Sequence, residues 1–410
     1  MKIWHPYTQE ATDATPIAID RGEGAYLYTR DGRRLIDAIS SWWVNIHGHS
    51  HPLIAEAIAA QARKLEHVIF AGFTHEPAEE LSARLAKVLP ASLTRLFFSD
   101  NGSTAVEVAM KMAVQYWHNL GRPEKHRIVA LEHAYHGDTI GAMSVSDDSP
   151  FTAAFRSLRI PSLCIRDAGE LERMFESKHQ EIAAMIVEPL VQGAGGMLVY
   201  SADLLRRYRE LCAAHDVLFI ADEVFTGFGR TGRMFACDHA GVQPDMMCLS
   251  KGLTSGFLPL AATVCTENIY QAFYSKDRSR TFFHGHSFSG NPLGCAAAIA
   301  SLQIFESEPV FDRIAAIERI HAQRLEALKD HPSVAAVRML GTIAAIELKA
   351  GDAGYLSELR TRLYPFFLEQ GVLLRPLGNI IYTVPPYVIT PADLNYVYDV
   401  IVKVLALLPT

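Results

Sequence analysis

The strongest constraint on this chain is a run that begins at Val217. Val217-Leu-Phe-Ile-Ala-Asp-Glu-Val crowds apolar residues together without alternation, as a strand covered on both faces requires. Asp222 stands near its C-terminal end. A glycine-rich segment follows, and then a second short apolar run, Met246-Met-Cys-Leu-Ser-Lys-Gly-Leu, containing a lone lysine, Lys251. One strand that delivers an acid and another that delivers a lysine meet the needs of pyridoxal phosphate chemistry. The lysine forms a Schiff base with the cofactor aldehyde. The acid keeps the pyridine nitrogen protonated, so that the ring can draw electrons.

Between the two runs lies a competing signal. Gly227-Phe-Gly229-Arg-Thr-Gly232 matches GxGxxG after a strand. A dinucleotide site also needs a helix opening at the glycines and an acid ending the next strand. The residues after Gly232 carry no apolar stripe at helical spacing, and Asp245 precedes the following strand rather than ending it. A flexible loop of turn glycines is the plainer reading. A non-catalytic nucleotide-binding protein is the alternative that this motif leaves open.

A chain of 410 residues can bury a large core in two or three domains. Its net charge of −7 and its lack of basic runs argue against nucleic-acid or membrane-surface partners. The N-terminus has no apolar signal core and no run of about 18 apolar residues occurs, so a cytoplasmic protein is expected. Its six cysteines (164, 212, 237, 248, 265 and 295) form no CxxC and are expected to be buried and reduced. His47, His49 and His51 alternate, but no cysteine or acid beside them completes a metal set, so turn and pocket-rim histidines are expected.

Taken in order, residues 25–29, Asp31-Gly32 and 34–37 read as a hairpin. Trp42 and Trp43 are neighbours, so in a strand they would face opposite sides and one would meet a pocket or an interface. Residues 53–65 read as a helix with Ile54, Ala57, Ile58 and Ala62 on one face, and 77–88 as another carrying Leu81, Leu85 and Val88. The run 95–104 followed by 105–117 reads as strand, Gly/Ser turn and helix. Its turn at Gly102-Ser103 offers an anion site at a helix N-terminus, or simple capping by Ser103 or Thr104. Strands at 128–131 and 183–187 lead to Tyr135 and Glu188, and 202–215 is a helix. Such alternation implies a largely parallel sheet covered on both faces, whose ligands gather at the strand C-terminal ends. Asp222, Lys251, Glu188, Tyr135 and Gly102-Ser103 all fall at such ends.

After Glu306 the pattern changes to an α+β unit: a helix at about 311–329, strands at 334–338 and 342–348, a helix at 356–369, short strands at 372–375 and 379–382, and a helix at 391–407. The domains expected are an N-terminal arm (1–50) packing with a small domain (307–410), and a large cofactor-binding domain (51–306). Arg375 reads either as a surface ion pair or as a carboxylate clamp.

These residues together resemble the class III, ornithine-aminotransferase-like, pyridoxal phosphate aminotransferases along almost the whole chain. The class features are Asp222-Glu-Val-x-Thr-Gly-Phe-Gly-Arg-Thr-Gly, Lys251, Asn101-Gly102-Ser103 and Tyr135-His136-Gly137. The resemblance implies fold type I: α/β, with a mainly parallel seven-stranded sheet between helices and a smaller α+β domain. His5-Pro-Tyr7-Thr, Ser40-Ser-Trp42-Trp43, Val106-Glu-Val-Ala-Met-Lys-Met-Ala and Arg375-Pro, with Tyr382 and Pro385-Pro386, resemble the branch that makes 7,8-diaminononanoate for biotin. That branch implies ping-pong transfer of an amino group from adenosylmethionine, or from lysine, to 8-amino-7-oxononanoate. Another ω-amino-acid aminotransferase, an aminomutase or a lyase on the same cofactor is the alternative.

The resemblance assigns catalysis to Lys251, Asp222 and Tyr7. It gives the phosphate to Gly102 and Ser103, and the ring faces to Tyr135 and Val224. Trp42, Tyr135, Gly285 and Arg375 would join Lys251 around the substrate, with Arg230 a further specificity residue. It also implies a homodimer in which Ser287 reaches the neighbouring subunit's phosphate, and it places His286 among the cofactor-binding residues. Where the family's adenosylmethionine users carry His-Gly-Pro-Thr, this chain has His284-Gly285-His286-Ser287, which leaves the donor open.

Overall fold

The computed structural model describes residues 1–13, 15–349 and 358–408. Its centre is a seven-stranded sheet. In space the strands run Leu93–Ser99, Ala261–Thr266, Met246–Leu249, Leu218–Asp222, Ile182–Val187, Arg127–Leu131 and Leu163–Ile165. Every residue of Ile182–Val187, Leu218–Asp222 and Met246–Leu249 is buried, which explains their unbroken apolar composition. The alternation that composition hides is present in space. Leu218 and Ile220 join one apolar cluster, with the helix Gly102–Asn119, while Phe219 and Ala221 join another on the opposite face.

The sheet is parallel except at Ala261–Thr266, which pairs antiparallel with Met246–Leu249 and with Leu93–Ser99. Six carboxyl ends therefore share one edge, and the seventh strand starts there.

Local expectations hold with instructive shifts. The helix Pro52–Lys64 buries Ile54 and Gln61 and leaves Ala62 exposed. The steps from 54 to 58, 61 and 65 follow the helical repeat, and the Gln61 amide donates to the Leu65 carbonyl at 2.8 Å. Glu76–Val88 buries Leu81 and Leu85, as read. The helix Gly102–Asn119 is capped by neither Ser103 nor Thr104. Asn101 is the cap: its side chain accepts from the Thr104 N–H, and the Asn101 N–H donates to Thr104 Oγ1. Five cysteines are buried, but Cys164 is exposed because its strand forms the sheet edge.

Two readings are corrected outright. The GxGxxG segment is no flexible loop: residues 225–231 are all buried, and only the four-residue helix Cys237–Ala240 follows. Gly229 is required there, since its φ is +91° and a Cβ would sit 2.7 Å from Ile314 Cδ1. Nor do Trp42 and Trp43 lie on a strand; they belong to a left-handed turn described below.

Beyond Ser307 the chain forms the helices Val310–Leu328, Glu358–Glu369 and Pro391–Ala406 with an antiparallel sheet of Val334–Leu340, Ile343–Leu348 and Ile380–Thr383. The first two positions of the helix read at 356–369 lie outside the described residues. A further sheet ties the two ends of the chain: Ile19–Glu23, Tyr26–Thr29 and Arg34–Asp37 form an antiparallel meander, and Val372–Leu373 pairs parallel with its last strand. Among the described residues no helix is long and apolar enough to cross a membrane.

Candidate active site

The strand ends open on a cavity of about 440 Å³ that gathers Gly102, Ser103, Tyr135, Glu188, Asp222 and Lys251 with Tyr7, Trp42, Trp43 and Arg375. Lys251 follows its strand at φ 46° and opens a tight 3₁₀ turn. Its Nζ lies 4.8 Å from the Trp43 ring centre and 5.6 Å from that of Phe225. Burial lowers this amine to a pKa of about 8, against the opposing pull of Asp222 and Glu188. An amine so placed is a ready nucleophile.

Asp222 is buried, and both of its oxygens are engaged. Oδ1 accepts from the Val224 N–H at 3.1 Å, and Oδ2 lies 2.7 Å from His136 Nδ1. A carboxylate has about four acceptor positions, so it keeps capacity for one more donor from the cavity. His136, which the sequence offered only as part of the Tyr135-His136-Gly137 motif with no role of its own, is brought to Asp222 by the fold. It stands 86 positions from Asp222 in the chain, and its one signal was its place inside the Tyr135-His136-Gly137 strand end. Glu188 lies beside the pair. It accepts from the N–H groups of Tyr135 at 2.9 Å and Gly193 at 3.0 Å, and burial lifts its carboxyl to a pKa of about 7.

The helix Gly102–Asn119 points its N-terminus at the same space. Asn101 occupies the Thr104 N–H, and the N–H groups of Gly102 and Ser103 have no intrahelical partner. Two glycines let the neighbouring chain approach this corner closely. A Cβ on Gly102 would lie 2.6 Å from Val224 Cγ1, and one on Gly137 would lie 1.9 Å from Ser103 Oγ. Ser103 Oγ accepts from the Asp138 N–H at 3.0 Å, fixing the two loops together. A phosphate donor set, a Val224–Tyr135 slot, an acid with a spare acceptor and a lysine amine fit pyridoxal phosphate.

The outer wall is aromatic. The Tyr7 and Trp42 rings meet edge-on, 5.2 Å apart at 66°, and Phe151 lies 5.7 Å from Tyr7. The Tyr7 hydroxyl donates to Asp138 Oδ2. Arg375 lays its guanidinium 5.0 Å from the Trp42 ring centre and donates to the Tyr7 carbonyl at 3.3 Å. Among the described residues it has no carboxylate partner, so the surface ion pair weighed from sequence is not what the fold makes of it.

Four residues stand apart from this cavity. Arg230 is 1% exposed and structural: it donates to the Pro385 carbonyl at 2.9 Å, to Thr342 Oγ1 at 3.3 Å and to Ser40 Oγ at 3.2 Å. A specificity role by direct contact is replaced by this buried role, because those bonds hold the group away from the lining. Gly285, His286 and Ser287 sit in a separate loop, where His286 Nδ1 accepts from the Phe288 N–H at 3.2 Å and Ser287 is exposed. The three alternating histidines have unrelated partners: the Ser301 carbonyl for His47, Asp37 for His49 and Glu308 for His51.

Comparison with known proteins agrees with this geometry. Residues 7–405 match the profile of the family described as Aminotransferase class-III. An adenosylmethionine-8-amino-7-oxononanoate aminotransferase of Synechococcus elongatus is 50% identical, with 98% of each chain covered. The crystal structure of the enzyme of that name from Methanocaldococcus jannaschii superposes with a TM-score of 0.93 at 37% identity, covering 98% of this chain and 97% of that one. An amine transaminase from an uncultivated Pseudomonas species, solved in its pyridoxal-phosphate-bound form, superposes with a TM-score of 0.91 at 33% identity, covering 99% and 98%.

Proposed function

Because the chain belongs to the class III aminotransferases, a family of pyridoxal-phosphate-dependent transaminases, we propose that it aminates 8-amino-7-oxononanoate to 7,8-diaminononanoate in biotin synthesis. The observation that carries the reading is the meeting of Lys251, Asp222 and the Gly102–Ser103 cradle behind a Trp42–Tyr7–Arg375 wall in one cavity. The names of the relatives point to adenosylmethionine as donor. Lysine is the donor to test beside it, because of the His284-Gly285-His286-Ser287 loop.

Bound pyridoxal phosphate supplies an aldehyde that takes up the amine and a ring that accepts electrons from the substrate carbon. The N–H groups of Gly102 and Ser103 would hold the phosphate, and Tyr135 and Val224 would flank the ring. Asp222, held by His136 at 2.7 Å, would keep a proton on the ring nitrogen. Lys251 Nζ takes the proton from the substrate carbon and delivers it again to complete the transfer. Tyr7 and Trp42 cover the alkyl chain and exclude water.

Absorbance spectra of the loaded protein test the reading. The visible band should bleach with one of the two donors and return on addition of 8-amino-7-oxononanoate. A band that bleaches but returns only with other ketones would replace the acceptor, and one that no amine donor bleaches would remove the transaminase reading.

Arg375 is the carboxylate clamp of this scheme. A charge-assisted contact of this kind contributes roughly 1.5–3 kcal/mol. Arg375→Ala is therefore expected to raise the acceptor KM by about ten- to a hundred-fold, while adenosylmethionine still bleaches the band. Stopped-flow measurement of each half-reaction separates the two effects, and an unchanged acceptor affinity would move the clamp elsewhere.

The remaining loop belongs to a homodimer in this reading, each Ser287 serving the phosphate site of the other subunit. The support is its exposure outside its own cavity, flanked by Phe283 and Phe288 at 75% and 64% exposure. Ser287→Asp would repel the phosphate, and Lys251→Ala would be inactive by itself. Refolding the two variants together is expected to regain activity, because the mixed dimer holds one native site. No regain would confine the loop to its own subunit.

A further inference from the structure

The two indoles of the cavity wall are consecutive in sequence, and neither a strand nor a right-handed helix would present them as they stand. Ser40, Ser41, Trp42 and Trp43 all have positive φ, at 49°, 44°, 79° and 73°. A run of four residues with side chains in the left-handed region is disfavoured and persists only where its surroundings impose it.

One fully buried carboxylate does much of the imposing. Asp37 Oδ1 accepts the N–H groups of Ile39 at 3.2 Å and Ser41 at 2.9 Å. Its Oδ2 accepts the Ser41 hydroxyl at 2.8 Å and meets His49 Nε2 at 2.8 Å. Asn45 Nδ2 lies 2.9 Å from His49 Nδ1, which leaves the ring proton on Nε2, facing Asp37. From the other side the Ser40 hydroxyl donates to the Val384 carbonyl at 2.7 Å and accepts from Arg230. The result is a splayed pair. Trp42 is 40% exposed, between Tyr7 and Arg375. Trp43 is 5% exposed beneath Lys251, with its indole N–H donating to the Tyr382 hydroxyl at 3.2 Å.

We propose that Asp37 is a positioning residue of the substrate site: its carboxylate holds the left-handed turn that aims Trp42 at the alkyl chain of the acceptor and seats Trp43 under the lysine. It touches neither substrate nor cofactor. The kinetic consequence rests on the transaminase reading, whereas the conformational one does not.

Asp37→Asn keeps the Oδ1 bonds but sets an N–H donor against the His49 N–H donor. Ser41→Gly added to that variant lets the backbone take positive φ without penalty and does not restore the carboxylate. The first measurement is acrylamide quenching of tryptophan fluorescence in cofactor-free protein carrying Trp4→Phe, since Trp4 is 89% exposed and would mask the signal. Quenching should rise in Asp37→Asn as Trp43 loses its shelter and fall back in the double variant. The second is kinetic: the acceptor KM should rise several-fold with a smaller change in kcat, the mark of lost binding rather than lost chemistry, and recover in the double variant. Unchanged quenching and KM in Asp37→Asn would overturn the proposal, as would equal losses in the single and double variants. If Asp37→Asn does not fold, Ser41→Ala removes the hydroxyl that donates to Asp37 Oδ2 and lies 3.5 Å from His49 Nε2, and leaves the carboxylate in place. It should give the same changes at smaller size, and no change there would likewise overturn the proposal. A wild-type protein that aminates no ketone would defeat the transaminase reading alone, because quenching still decides the role of Asp37.

Discussion

Lys251→Ala is expected to yield a folded protein without the visible band of the loaded enzyme, slowed in transamination by on the order of 10⁴–10⁶-fold, the scale of losing a catalytic nucleophile. The size follows from two duties resting on one atom. In the proposed scheme Nζ would tether the cofactor aldehyde and then carry the proton between carbons, and its surroundings suit it to both. Burial lowers the amine to about 8, which raises its neutral fraction near pH 7. The Trp43 and Phe225 rings lie beside it, so the same burial that lowers the pKa restricts where the amine can point. The phosphate cradle is untouched by the substitution, so the cofactor should still bind, without a covalent link. Borohydride reduction of the native protein followed by peptide mapping gives the decisive check. An adduct on any other lysine would end the assignment.

Asp222→Asn should cost catalysis far more than cofactor binding. A neutral amide can still accept the Val224 N–H through its oxygen, but it presents an N–H group to His136 Nδ1 and no longer holds a charge opposite the ring nitrogen. The stabilisation lost is the part that grows as negative charge spreads into the ring, so it appears in the rate rather than in binding. Proton transfer should slow by on the order of 10²–10³-fold, the range found when one preorganised electrostatic partner is removed. Single-turnover spectra with a donor amine measure that step directly. A rate within a few-fold of the native value would show that Asp222 has another task.

Sequence reasoning went furthest where chemistry and local pattern coincide. Asp222, Lys251, Glu188, Tyr135 and Gly102-Ser103 were each assigned to a strand C-terminal end, and a mainly parallel sheet brings such ends together without further information. Strand direction was less legible. Ala261–Thr266 is as apolar as its neighbours, and composition says nothing about which way a strand points. The environment of Arg230 was also hidden. A glycine-rich segment with a charged residue reads as surface, yet Pro385, Thr342 and Ser40, all distant in sequence, accept its bonds and draw it inside. His136 and the turn at Ser40–Trp43 escaped for the same reason, since the partners that define them are remote along the chain. What the pattern of residues cannot display is a backbone conformation or a tautomer set by a distant contact.

The reversed strand also bears on how the protein is made. Leu93–Ser99 leads into the Gly102-Ser103 turn, and among the described residues its partner in the sheet is Ala261–Thr266, synthesised about 160 residues later. At the usual pace of translation that delay is roughly 10–30 s. For that interval a seven-residue strand containing Leu96, Phe97 and Phe98 has no neighbour to pair with, and an unpaired apolar edge recruits other chains. Closing so long a loop is also slow, because the entropy is lost before the contacts form. Nascent chains stalled before residue 261 should therefore be the most chaperone-dependent and aggregation-prone, and the site for the cofactor should be the last part of the large sheet to mature.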